Sequence, residues 1–184
     1  MGRMGRRLIF LALALLCGLP TACGPLVAYH DEEVGYKTVE TPTGLLRLAV
    51  IDEGTGPPLI LLHGFATSSY TWHAILPDLA KTHRVIAVDL RGFGASDKPL
   101  DEHYSIFDQA DAVEALIREE NLHGVTLVGH SFGGGVALAM ALRDRERATP
   151  LIRNLVLVDT IAFRQPSPLF FRLLEVPVAR AIGM

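Results

Sequence analysis

Gly129-His130-Ser131-Phe132-Gly133 is the stretch that decides how this chain is read. It follows an apolar run, Val125-Thr126-Leu127-Val128, and opens onto an Ala- and Leu-rich segment over residues 132–143. The order is strand, tight turn, helix, with Ser131 at the corner and a glycine two residues to either side. Side chains at 129 and 133 would block so sharp a corner. Gly134, Gly135 and Ala137 also lack bulk, so the helix can press close to the sheet. G-x-S-x-G in that setting is a nucleophile elbow, which lifts a serine oxygen clear of the backbone. A hydroxyl is a weak nucleophile at neutral pH and needs a neighbouring base to take its proton.

Outward from the turn, apolar runs alternate with helical spacing. Leu59-Ile60-Leu61-Leu62, residues 84–88 and residues 124–128 read as buried strands, and residues 154–158 as a fourth apolar strand, an open edge if no further strand covers it. Two softer strands, 36–41 and 45–52, precede them, joined by a turn at Pro42-Thr43-Gly44. Trp72, Ile75, Leu76 and Leu79 have helical spacing, as do Ile106, Ala110, Val113 and Ile117 in a helix predicted over 105–121. Trp72 and Phe107 are expected as core or pocket-wall aromatics. Together these elements predict an α/β fold, a mostly parallel sheet with helices on both faces. Beyond Asp159, Pro166, Pro168 and Pro177 punctuate an apolar stretch, 169–174, expected as the start of a lid or as a helix left uncovered.

The N-terminus is of another kind. Arg3, Arg6 and Arg7 precede an unbroken apolar run over 8–16, then Pro20, Thr21, Ala22 and Cys23. Basic, apolar, then small residues are the order of a secretory signal, too short for a comfortable membrane span. Residues 1–23 are therefore expected to direct export to a bacterial cell envelope. Cys23 is the candidate lipidation site and membrane attachment, although Pro20 stands where such sites prefer leucine. Both cysteines, Cys17 and Cys23, fall here, so the exported part has no internal disulfide and rests on its apolar core.

From Cys23 onward 162 residues remain, enough for one domain. Of 17 basic residues three lie in the leader, which leaves 14 against 20 acids and a net charge of about −6 with the histidines neutral. No basic stripe remains, and nucleic acid is not an expected partner. No clustered His, Cys and acidic residues suggest a metal, and no G-x-x-x-x-G-K-[ST] suggests a nucleotide; no cofactor is expected. Gly129-x-Ser131-x-x-Gly134 loosely mimics a dinucleotide fingerprint, but a serine replaces the middle glycine. Asp159 also comes 30 residues after Gly129, later than that motif places its acid.

Two further strand-end loops carry chemistry. A backbone N–H in His63-Gly64-Phe65, with that of Phe132, could cradle the oxyanion formed when Ser131 attacks a carbonyl. Asp89-Leu90-Arg91-Gly92-Phe93-Gly94-Ala95-Ser96 is expected to hold its own turn through Asp89 and Arg91.

With the three motifs in this order over residues 36–159, the chain resembles the α/β-hydrolase fold superfamily. Within it, the similarity is to the serine esterase and lipase-like branch that also contains epoxide hydrolases, dehalogenases and cofactor-free haloperoxidases. The resemblance implies a hydrolase domain over 29–184, incomplete at its C-terminus, holding about the first six strands of an eight-stranded sheet. It implies Ser131 as nucleophile and the N–H groups of Phe65 and Phe132 as the oxyanion hole. The substrate is then a small molecule with an acyl bond, cleaved through a serine ester. The serine speaks against dehalogenase or epoxide-hydrolase chemistry, where the family has aspartate.

In the family an acid and then a histidine follow the serine, whereas all seven histidines here lie at or before His130. That order implies a base past Met184 and little turnover by the 184-residue chain alone. Asp159 is an alternative triad acid, since some members take theirs from the end of the sixth strand, or else a structural strand-end carboxylate. His63 is expected to brace its own loop, and His130 to point away from the site. His30, His73, His83, His103 and His123 are expected at the surface or on helix flanks. The rival reading is a catalytically degenerate hydrolase fold kept as a binding or structural protein of the envelope.

Overall fold

The structure is a computed structural model that describes residues 34–162. Cys23, the leader, His30 and the 169–174 stretch lie outside the described residues. Six strands form one sheet: β1 (Gly35–Thr41), β2 (Gly44–Glu53), β3 (Pro58–Leu62), β4 (Arg84–Val88), β5 (Val125–His130) and β6 (Ile152–Val158). Their spatial order is β1-β2-β4-β3-β5-β6. β1 and β2 are antiparallel to each other, and β2 is antiparallel to β4; β4, β3, β5 and β6 run parallel. The hairpin turns through Pro42-Thr43, with Thr41 opposite Gly44, and Gly44 supplies a φ of +112° that other residues rarely adopt.

The apolar runs in the central strands face both ways, because successive side chains alternate between the faces of a sheet. Ile60, Leu62, Ile86, Val88 and Leu127 point into one core, shared with α2 (Ile106–Glu119) and α3 (Phe132–Asp144). Leu59, Leu61, Val85 and Ala87 point into a second, filled by Trp72 and by Leu76 of the single-turn helix α1 (Leu76–Leu79). Both faces of the central strands β3, β4 and β5 are covered, as their continuous apolar runs predict.

The helix α2 is stopped and started by local chemistry. Ser105 caps it: its hydroxyl accepts from the Asp108 N–H at 3.2 Å, and the Asp108 carboxylate accepts from the Ser105 N–H at 2.8 Å. Asn121, at φ +51°, turns the chain out of the helix. Ala110, Val113 and Ile117 are fully buried.

Three expectations need correction. The segment around Trp72–Leu79 is not one helix but a 3₁₀ turn, Ser69–Trp72, followed by α1; Pro77 suits the first turn of a new helix and cannot donate a bond within an older one. Phe107 is not core; it sits at the outer side of the first turn of α2, 58% exposed, with the Arg143 guanidinium 5.1 Å from its ring centre. β5 runs two residues further than its apolar run, because β6 pairs with it as far as His130 opposite Val158.

Candidate active site

The C-terminal ends of β3, β4 and β5 lie side by side, and each opens into one of the three loops singled out above. This edge of a parallel sheet is where such folds place ligands.

At the end of β5, Ser131 has φ +51° and ψ −112°, a conformation that costs a residue with a side chain on the order of 1–3 kcal/mol. Hydrogen bonds on both sides hold it there. Its N–H donates to Val158 O at 2.9 Å, and its carbonyl accepts from Gly134 N (3.1 Å), Gly135 N (3.2 Å) and Ile161 N (3.3 Å). The corner is too tight for side chains beside it. A Cβ on Gly129 would strike the backbone of Gly133 and Gly134, and one on Gly133 would lie 2.5 Å from the carbonyls of Leu62 and His63. Phe132 opens α3, so its N–H precedes the intrahelical ladder and adds to the partial positive charge at a helix N-terminus.

The loop after β3 is tied to this elbow and to the loop after β4. Gly133 N donates to His63 O at 3.1 Å, which draws the β3 loop to the first turn of α3. His63 is fully buried. Its Nε2 accepts from Leu90 N at 3.0 Å, which leaves Nδ1–H to donate to Gly64 O at 2.7 Å and fixes the tautomer. Desolvation holds the imidazole pKa below its ordinary value, opposed by the bond to Gly64 and the charge of Asp89, so the ring stays neutral. Ala66, two residues past Gly64, has φ +56°. The same loop continues along an open hollow of about 500 Å³ lined by Ala66, Thr67, Ser68, Tyr70, Thr71 and His73.

Asp89 is the centre of the lock. Fully buried, its carboxylate accepts from Ser69 N at 2.6 Å in the β3 loop and from Ala95 N at 2.7 Å in its own loop. Ser96 Oγ donates to Asp89 O at 2.6 Å and accepts from Ala49 N of β2 at 2.8 Å. Asp89 thus holds its turn, as expected, and also ties it to the β3 loop. Arg91 instead reaches outward to Thr43 (3.0 Å) and Asp101 (2.5 Å).

His63, Gly64, Phe65, Ser131 and Phe132 are therefore brought together by the fold. The His130 ring packs against Gly64, with Nδ1 3.1 Å from where a Cβ there would stand, so it lies against the β3 loop and not away from it as the resemblance implies. That Nδ1 is buried and has no partner. Asp159 follows the last residue of β6, beside the elbow, at φ +45° and exposed. Among the described residues no side chain hydrogen-bonds to Ser131 Oγ, and none forms a metal-binding cluster. His73, His103 and His123 are exposed and His83 half-buried, as expected of surface positions.

The role that sequence reasoning left out is Phe93. It was read only as part of a loop, yet its ring lies 5.5 Å from that of Phe65 and 6.1 Å from that of Phe132. Its place between two glycines in a strand-end loop was the available signal.

Known proteins resemble this chain in sequence and fold. Residues 57–181 match the family profile of the alpha/beta hydrolase fold. The chain is 38% identical over 124 residues to 2-hydroxymuconate semialdehyde hydrolase from a Pseudomonas species, covering 66% of this chain and 42% of that protein. It is also 38% identical over 145 residues to a haloalkane dehalogenase from Agrobacterium fabrum, covering 76% and 46%. In both cases the chain spans less than half of the relative's length. Among solved structures, an alpha/beta hydrolase fold protein from Burkholderia ambifaria aligns with a TM-score of 0.70 at 30% identity, over 80% of this chain and 52% of that one. A thermophilic esterase from Thermogutta terrifontis aligns with a TM-score of 0.68 at 32% identity, over 80% and 53%. Six strands in this order, a strained serine at the end of the fifth and a family match over most of the chain agree: the chain belongs to the alpha/beta hydrolase fold family.

Proposed function

We propose that this protein is a serine hydrolase that cleaves an ester or similar acyl bond through an acyl-enzyme on Ser131. The observation that carries the proposal is the strained Ser131 backbone, held by four hydrogen bonds next to a loop that Gly133 N pins at His63. A fold keeps a non-glycine residue in such a conformation only when its surroundings over-determine it.

In the reaction, a base takes the Ser131 Oγ–H proton as Oγ bonds to the carbonyl carbon. The carbonyl oxygen gathers the negative charge and accepts hydrogen bonds from the N–H groups of Phe65 and Phe132, at the positive end of α3. Collapse breaks the bond to the alcohol, which leaves with the proton held by the base. Water then repeats the sequence on the ester and frees a carboxylic acid. The base comes from outside the described residues, and so does the triad acid unless Asp159 serves. The 184-residue chain alone is accordingly a poor catalyst, with the weak residual rate that an oxyanion hole and a serine retain without a base.

Hydrolysis of a simple aryl ester by the purified chain tests this. The expected rate is low, rises when imidazole is supplied as an external base, and loses that rise in Ser131→Ala. Enzyme-like turnover without imidazole would overturn the inactivity of the isolated chain. An imidazole response unchanged in Ser131→Ala would overturn Ser131 as nucleophile and leave a binding or structural role.

We also propose that residues 1–23 direct export to the bacterial envelope and that Cys23 is lipidated. Among the described residues no helix is long and apolar enough to cross a membrane, and the attachment proposed is through Cys23. Metabolic labelling with a fatty-acid precursor should mark the wild type and not Cys23→Ser; equal labelling would refute it.

A further inference from the structure

Of the four backbone hydrogen bonds that hold Ser131 at φ +51°, two come from the first turn of its own helix, through Gly134 N and Gly135 N. The other two come from the exit of β6. There Val158 O accepts from Ser131 N at 2.9 Å, and Ile161 N donates to Ser131 O at 3.3 Å. The two residues between them, Asp159 and Thr160, therefore decide whether both bonds can form at once. Asp159 turns the chain at φ +45°, a second strained position beside the first. Ala162 N then donates to Thr160 O at 3.0 Å and closes the turn.

The side chain of Thr160 is what fixes that turn against the elbow. It fills a notch beside Gly134 in the first turn of α3. A Cβ on Gly134 would stand 2.8 Å from the Thr160 Cβ and Cγ2, and closer still to its Oγ1, so the two positions cannot both carry bulk. Gly135 is matched less tightly; a Cβ there would meet Ile161 O at 3.4 Å. Thr160 Oγ1 is buried and has no hydrogen-bond partner among the described residues. Thr160 thus contributes shape, and a β-branched side chain is a stiff one.

We propose that Thr160 is a positioning residue for Ser131: keyed into the notch at Gly134, its side chain holds Ile161 N on the Ser131 carbonyl and so sets the direction in which Ser131 Oγ meets the substrate. This deepens the serine-hydrolase reading and rests on it. A reacting atom misplaced by about 1 Å can lose about a hundredfold in rate. Half of the bonds that fix this one come from the β6 exit, so loosening the exit should be felt in the chemistry.

The test follows the rate at which p-nitrophenyl acetate, in imidazole buffer, leaves an acetyl group on Ser131 of the full chain. Oγ bonds to the carbonyl carbon, p-nitrophenolate leaves, and imidazole takes the hydroxyl proton. Peptide mass over a range of ester concentrations gives the limiting rate and the half-saturating concentration. Thr160→Gly empties the notch and should lower the limiting rate by at least about tenfold, with little change in half-saturation. Thr160→Val refills the notch without the hydroxyl and should restore most of that rate. Thr160→Ala replaces the glycine variant if circular dichroism shows that one unfolded. Gly134→Ala should cost as much as Thr160→Gly, and the two combined should regain most of the loss, because the bulk has only changed sides. Amide exchange gives the local readout: Ile161 N–H should lose protection in Thr160→Gly while the β1–β2 amides keep theirs.

Equal limiting rates in wild type and Thr160→Gly would overturn the positioning role and leave Ser131 as nucleophile. So would a Thr160→Val as slow as Thr160→Gly, losses that multiply in the combined variant, or protection lost alike at Ile161 and in the β1–β2 hairpin. No acetyl group on Ser131 in the wild type would overturn the nucleophile itself, and this role with it.

Discussion

The two flanks of Ser131 are built very differently. On the side of β3 and β4, the loops carrying Phe65 and Phe93 are locked by fully buried polar groups, with every hydrogen bond of the Asp89 carboxylate and the His63 ring made inside the protein. On the side of β6, Val156, Leu157 and Val158 are 45%, 40% and 39% exposed, Asp159 lies open at positive φ, and among the described residues β6 pairs only with β5. The proposed oxyanion donors must not reorganise, and burial holds the loop that carries one of them, Phe65. The part of the machinery that would hold a base lies on the flank where the described residues offer none.

The contrast is most easily broken at its tight side. Asp89→Ala removes the buried acceptor that Ser69 N and Ala95 N share, and should lower stability by about 3–5 kcal/mol in urea unfolding. Gly94→Ala is an independent strike at the same point, since its Cβ would collide with the Asp89 carboxylate. A loss below about 1 kcal/mol in both would show that the loops are not locked as described.

Acid should loosen the same lock by a smaller amount. Burial keeps the folded-state pKa of His63 below its ordinary 6.5, so between those two values the unfolded chain binds a proton that the folded chain does not. The stability from neutral His63 is full above 6.5 and drains away as pH falls towards the folded value. His63→Gln, which keeps an acceptor for Leu90 N but does not titrate, should show a shallower fall in Tm over that range. An equal fall in both proteins would remove His63 from the account.

At the elbow itself, Ser131→Gly should raise stability by about 1 kcal/mol, because glycine accepts the backbone conformation that serine endures. A loss of stability there would mean the corner is not strained. On the open flank, Val156→Thr should change stability by less than about 0.5 kcal/mol, as expected of an exposed position. A loss of several times that would mean β6 is covered, and the contrast between the flanks would fail.

The sheet was legible because its strands announce themselves. Four apolar runs bounded by turn residues became β3 to β6, with only the ends shifted, and β5 ran on into the elbow because pairing with β6, not hydropathy, sets its end. Ser131 was legible because glycines on both sides leave a mark in sequence. The lock around Asp89 was legible only in part: its own turn could be read, but its bond to Ser69 spans 20 residues and depends on β3 and β4 being neighbours. Phe107 was misread because an aromatic beside an amphipathic stripe looks like core, and nothing local shows that Arg143 of another helix covers it. The contacts among the Phe65, Phe93 and Phe132 rings were not read at all, since residues 28 and 39 apart in sequence meet only once the sheet has ordered their loops.

The most direct test of the central claim is to trap the acyl-enzyme. The chain would be mixed with p-nitrophenyl acetate in imidazole buffer, quenched in acid, digested, and its peptides weighed by mass spectrometry. The account expects an acetyl group on Ser131, absent in Ser131→Ala and retained when surface lysines are blocked beforehand. Acetylation confined to lysines, or equal in wild type and Ser131→Ala, would contradict it.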